Sequence, residues 1–195
     1  MRTLVLASGS PRRRELLSGL GFTFRVESAD LDETPRPGES ARGYVKRLAR
    51  EKAHAVARRL SEPEAVVLAA DTSVILGEEI LGKPRDAAHA RQMLASLAGQ
   101  RHLVLTAVAV AGPYHDTRLV ETAVTFRPAS PEEIAWYVET GEPMDKAGAY
   151  AVQGRGNFLV SSLEGSPTNV IGLPLPETLQ LLAASGVASP WAPRT

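Results

Sequence analysis

Short apolar runs in this chain alternate with stretches in which apolar residues return every three or four positions. Thr3 to Ala7 predicts a short buried strand and Phe22 to Val26 a second. Ala65 to Ala70 is a continuous apolar run whose length suits a central strand. Ser73 to Leu81 reads as a hairpin around Gly77. Leu103 to Ala111 and Leu119 to Phe126 read as two long antiparallel strands broken by Gly112-Pro113, and Asn157 to Leu163 as a further strand.

Helical periodicity follows recognisable starts. Pro11 to about Ser18 forms a helix with Ser10 as its cap, and Ser40 caps a longer one ending near Leu60. Asp86 starts a helix that runs to Leu97. Ser130 caps Pro131 to Thr140, which Gly141 stops, and Pro176 to Ser185 is the last helix. Ala29 to Glu39 is polar and contains prolines, so it reads as a loop. Interleaved helices and strands, with two long strands directly joined, predict an α/β fold built on a mixed sheet with flanking helices. The expected organisation is one domain over 1–195, with two lobes and a surface tail at 187–195.

Composition removes several classes of chemistry. Lys plus Arg and Asp plus Glu both number 22, so no broad field draws in a nucleic-acid polymer or a membrane, and any anion site must be local. The chain has no cysteine, which excludes disulfides, thiolate catalysis and cysteine-based zinc sites. No apolar run approaches the ~18 residues of a membrane helix, and the opening apolar stretch is too short for a secretory signal. The expected location is the cytoplasm.

Ser8-Gly9-Ser10-Pro11-Arg12-Arg13 joins a strand to a helix start. Cations there oppose the helix field by roughly 0.3–1 kcal/mol each, and Arg12, Arg13 and Arg14 are consecutive. A bound phosphate would reverse that balance, because backbone N–H groups and guanidinium forks would converge on it. Successive side chains point about 100° apart, so all three cannot reach one ligand. Arg12 and Arg13, nearest the start, are the candidates. A solvated basic turn compensated by Glu15 is the competing reading. The segment is not a Walker A loop, and Gly154-Arg155-Gly156 lacks the third glycine of a dinucleotide fingerprint.

Asp71 follows the apolar run, where a strand end would place it at a ligand site; an ordinary loop aspartate competes with that. Glu33 lies in the acidic stretch Asp30-Leu31-Asp32-Glu33-Thr34, which reads either as a solvated cluster or, with Asp71 nearby, as oxygen donors suited to magnesium or manganese. Lys52 interrupts the apolar stripe of Ala41, Val45, Leu48 and Val56, so it either snorkels or emerges in a cleft to hold phosphate. Lys83, in Leu81-Gly82-Lys83-Pro84, is a second candidate on a tight loop, with an ordinary exposed turn lysine as the competing reading. The histidines have no metal-ligand spacing and read as surface or structural.

Taken in order, these segments resemble the Maf family of nucleotide pyrophosphatases along most of the chain. The resemblance is carried by Leu6-Ala7-Ser8-Gly9-Ser10-Pro11-Arg12-Arg13, Arg50-Glu51-Lys52-Ala53, Ala70-Asp71-Thr72 and Gly82-Lys83-Pro84. It continues through Thr140-Gly141-Glu142-Pro143-Met144-Asp145-Lys146-Ala147-Gly148-Ala149-Tyr150, Gln153-Gly154 and Val170-Ile171-Gly172-Leu173-Pro174-Leu175. It implies two lobes around a cleft, similar to inosine triphosphate pyrophosphatases, a divalent metal, and hydrolysis between the α and β phosphates. It implies Asp71 as the catalytic acceptor of a proton, and Glu33, Lys52 and Lys83 match other polar residues of the cleft. Ser8 and Arg13, in the matching opening stretch, are candidates for the substrate, and Asp71 and Glu33 for the metal.

Arg12, Thr72 and Gln153 match the specificity positions of the branch acting on dTTP and UTP. The resemblance therefore implies release of a monophosphate and pyrophosphate. The alternatives are the same chemistry on another nucleotide, a modified pyrimidine or 7-methyl-GTP, and a non-catalytic nucleotide-binding regulator of cell division; a homodimer is compatible with each. Gly165-Ser166-Pro167 departs from the family, which often has an aromatic residue after the serine.

Overall fold

The computed structural model describes residues 2–192. The helix and strand starts are set locally. β1 is Leu4–Leu6 and α1 is Pro11–Gly19, followed by the short β2, Arg25–Val26. α2 spans Ala41–Leu60, and the Ser40 side chain accepts the Gly43 N–H as its cap. β3 (Val66–Leu76) turns at Gly77 into β4 (Glu79–Leu81), and α3 is Ala87–Leu97, capped by Asp86 through the His89 N–H.

β5 (Arg101–Ala111) and β6 (Asp116–Phe126) are neighbours joined by a short turn, a connection open only to antiparallel strands. α4, Pro131–Glu139, begins with a full capping box between Ser130 and Glu133. Three 3-10 turns follow, at Glu142–Asp145, Ala147–Ala149 and Arg155–Leu159. β7 (Val160–Glu164), α5 (Pro167–Ile171) and α6 (Leu175–Ala184) complete the described elements.

Among the described residues the sheet has seven strands in the order β2-β1-β3-β5-β6-β7, with β4 on β3. β1 is parallel to β2 and β3, whereas β4 and β7 are antiparallel to their neighbours. The expected mixed α/β sheet is therefore present.

The chain forms two compact units. The first comprises residues up to Asp71, Thr106–Leu119 and the chain from Gly172 onward. Its core contains Leu4, Leu6, Leu17, Leu68, Val108 and Leu181. The second comprises Thr72–Leu105 and Val120–Ile171, with a core that includes Leu94, Leu97, Phe126, Tyr137, Tyr150 and Leu159.

Four local expectations need correction. Asp71 does not end a strand, because β3 continues through it to Leu76. A carboxylate survives inside that strand because a cation from α2 meets it. Ser10 stands at the cap position of α1 but makes no side-chain cap; instead its N–H donates to Ser8 Oγ at 3.2 Å. Residues 157–159 belong to a 3-10 turn, and the last strand starts at Val160. Only Arg25–Val26 of the expected second strand pairs with β1.

Pro167 occupies the first position of α5, where a missing N–H is harmless, and Ser166 Oγ accepts the Asn169 N–H at 3.2 Å. The proline that departs from the family pattern is thus a helix start. In the expected tail, the Trp191 ring meets Phe22 edge-on at 6.2 Å, and residues 193–195 lie outside the described range.

Candidate active site

In the first unit, side chains from three separate segments meet at Lys52. Alternation along β3 puts Asp71 on the same face as Ala69 and Ser73, and all three are buried. Helical spacing puts Lys52 beside the buried Leu48, Ala49, Ala53 and Val56. Its ammonium lies 2.7 Å from Asp71 Oδ1 and 2.7 Å from Glu33 Oε1. Lys52 thus reaches past the apolar stripe to two carboxylates.

Burial raises the Asp71 pKa above the usual carboxylate range, although Lys52 and Arg13 act in the opposite direction. Asp71 therefore holds a proton more readily than an exposed aspartate while remaining hydrogen-bonded to a cation.

Arg13 turns inward from α1. Its Nε donates to Gly172 O at 2.7 Å and its Nη1 to Ser8 Oγ at 3.1 Å. Burial lowers its pKa, and the charge of Asp71 works against that shift. Ser8 is buried just after β1, near the start of the loop that leads to α1. Arg12 is half-buried on α1 next to Arg13.

Sequence reasoning missed the group that fixes Glu33. The 30–39 loop has no regular structure of its own. Arg47, buried on α2, donates to Glu39 at 2.6 and 2.7 Å, to Glu51 at 3.1 Å and to Thr34 O at 3.2 Å. Tyr44 Oη donates to the Glu33 carbonyl at 2.9 Å. The paired Arg47 pulls the Glu39 pKa down to about 2. The only local signal was the Arg47–Glu51 spacing of four residues; the other partners come from the loop.

The remaining candidates belong to the second unit. Thr72 is half-buried on β3, and Lys83 is exposed on the loop after β4. The Gly148 N–H donates to Gly82 O at 3.1 Å, tying the Lys83 loop to the 140–150 segment. Gln153 is exposed on a bend before the third 3-10 turn.

Among the described residues, no group of three or more histidines and acids is placed to hold a metal. The pair Glu33 and Asp71 nevertheless fits a hard cation. Both carboxylates already share one positive charge, and magnesium commonly takes one or two carboxylates with water and phosphate oxygens.

The fold is thus a mixed α/β sheet that carries two acids on one ammonium beside an arginine-bearing turn. The chain belongs to the Maf-like protein family, whose pattern matches residues 3–185. A dTTP/UTP pyrophosphatase of Myxococcus xanthus is 60% identical over 188 residues, covering 96% of this chain and 95% of the relative. A dTTP/UTP pyrophosphatase of Escherichia coli O157:H7 is 54% identical over 184 residues, covering 94% and 93%. The Ham1 protein structure from Staphylococcus aureus matches 96% of this chain and 100% of its own, with a TM-score of 0.51 at 16% identity, a likeness of fold.

Proposed function

We propose that this protein hydrolyses dTTP and UTP to the monophosphate and pyrophosphate. The observation that carries this reading is the 60% identity, across nearly all of both chains, to a relative named for that activity. The Lys52 cluster gives the reading a chemical basis.

In this mechanism Arg12, Arg13, Lys52 and Lys83 neutralise the triphosphate, with Ser8 and the N–H groups of the opening turn beside it. Water attacks the α phosphorus; its oxygen forms the new P–O bond as the α–β anhydride bond breaks. Asp71 accepts the water's proton, a role favoured by its raised pKa. Lys52 holds Asp71 in place and offsets the negative charge that develops. A divalent cation, magnesium or manganese, would be held by Glu33 and Asp71 and would supply charge neutralisation at the phosphates. Thr72 and Gln153 serve base recognition, Gln153 through its paired amide donor and acceptor.

This reading makes the nucleoside triphosphate the partner. It places the protein in the cytoplasm, without a nucleic-acid polymer or a membrane, as a single domain that can pair as a homodimer. Among the described residues no helix is long and apolar enough to cross a membrane.

The test is a nucleotide panel with magnesium or manganese and identification of the products. Monophosphate plus pyrophosphate from dTTP and UTP is expected. Orthophosphate release would overturn the assigned bond, and preferential cleavage of 7-methyl-GTP would overturn the assigned base.

A further inference from the structure

Gly154-Arg155-Gly156 follows Gln153, and its backbone is fixed by one side chain. Glu142 Oε2 accepts the Arg155 N–H at 3.0 Å, and Oε1 accepts the Gly156 N–H at 3.0 Å. Tyr137 Oη donates to the same Oε1 at 2.9 Å and accepts the Ala151 N–H at 3.3 Å. The carboxylate and phenol therefore hold the backbone on both sides of Gln153.

Close packing fixes the sequence around them. A Cβ at Gly154 would stand 2.8 Å from Glu142 Oε2, at a φ of +103° that side chains rarely adopt. One at Gly156 would stand 2.4 Å from Tyr137 Oη. The glycines let the chain wrap the carboxylate. Three donors engage Glu142, so it is committed to holding the backbone, while Gln153 itself remains exposed.

We propose that Glu142 is a positioning residue for base recognition, setting the backbone that carries Gln153 and so the place of its amide. The proposal rests on the reading that Gln153 contacts the base. Discrimination by an amide depends on where its donor and acceptor stand, because a misplaced pair leaves polar groups unmatched. Loss of Glu142 should therefore affect the choice of base more than turnover in general.

The experiment measures kcat/KM for UTP and CTP in the intact protein and in Gln153→Ala, Glu142→Ala, Glu142→Gln and the double alanine variant, with Tm recorded for each. Gln153→Ala is expected to reduce the UTP-to-CTP ratio by about tenfold or more, the range of one matched polar contact. Glu142→Ala should reduce it several-fold, and Glu142→Gln should restore part of it because the amide keeps one acceptor oxygen. The double variant should discriminate no worse than Gln153→Ala alone.

If both Glu142 variants lower UTP and CTP turnover equally while Gln153→Ala alone changes the ratio, Glu142 is only structural and the proposal falls. If Gln153→Ala leaves the ratio unchanged, the underlying reading of the base contact falls with it. Glu142→Gln, the milder change, decides the matter if the alanine variant does not fold.

Discussion

Asp71 is buried and Glu142 half-buried, and burial prevails at the first acid but not at the second. At Asp71 it raises the pKa despite the Lys52 ammonium at 2.7 Å. At Glu142 burial also acts upward, but the N–H groups of Gly156 and Arg155, the Tyr137 hydroxyl and Lys146 outweigh it, and the pKa is lowered. The difference lies in the partners. Backbone N–H groups are fixed by the fold and stabilise a carboxylate without a mobile counter-charge. A lysine on a long side chain can exchange one anion for another. Glu142 is thus stabilised as part of the structure, whereas Asp71 is kept costly, as the proton transfer proposed for it requires.

The largest effect should come from Asp71→Asn. Its folded pKa lies above its unfolded one, so its favourable contribution exists only at acid pH and disappears as pH rises through the folded value. Once ionised, the buried Asp71 carboxylate opposes folding. The amide should lower kcat by about 10²–10⁴-fold, the span of a lost general base, while Tm stays level or rises. A drop in Tm with turnover preserved would reverse the comparison and assign Asp71 a structural role.

His102 extends the comparison to a group kept neutral. It is 2% exposed, its Nε2 lies 2.8 Å from Tyr150 Oη, and burial pulls its pKa from 6.5 down to about 4. The unfolded chain binds the proton first, so stability is complete above about pH 6.5 and is lost as pH falls toward 4. A shift of that size corresponds to about 3 kcal/mol at its acid limit. Denaturant titrations at several pH values should show this slope in the parent protein. It should be absent in His102→Gln, whose amide can still meet Tyr150. An equal slope in both proteins would assign the acid sensitivity to other groups.

The legible parts of the molecule were those decided locally. The caps at Ser40, Asp86 and Ser130 need only a side chain and an N–H three residues on, and all three form. Lys52 was visible because it broke an apolar stripe, a contradiction that its carboxylate partners explain. Asp71 was misplaced at a strand end because strand propensity disfavours an acid, and the compensating cation comes from a distant helix. Arg47 was missed for the same reason, since Glu39 and the Thr34 carbonyl reach it from an irregular loop. Residues 157–159 looked like strand, but the preceding N–H groups go to Glu142 and draw the chain into a 3-10 turn. What escaped the sequence was mainly the pairing of side chains with backbone far away in the chain.

The smallest effects should separate the tyrosines that serve the two regions. Tyr137 is fully buried, and its hydroxyl joins Glu142 to the Ala151 N–H. Tyr137→Phe removes a donor from a half-buried carboxylate and leaves a buried N–H without its acceptor, so it should cost about 1–3 kcal/mol. Tyr44 is half-buried, and its hydroxyl donates to the carbonyl of Glu33 in an exposed bond of 2.9 Å. Water can replace that donor, so Tyr44→Phe should cost less than about 0.5 kcal/mol. It should instead slow turnover several-fold by loosening the loop that brings Glu33 to Lys52. Chemical denaturation and kcat measured on both variants give opposite expected rankings: Tyr137→Phe loses more stability, and Tyr44→Phe loses more turnover. Identical rankings in the two assays would mean that the loop bearing Glu33 is as rigidly built as the turn around Glu142, and the contrast between an available acid and a fixed one would fail.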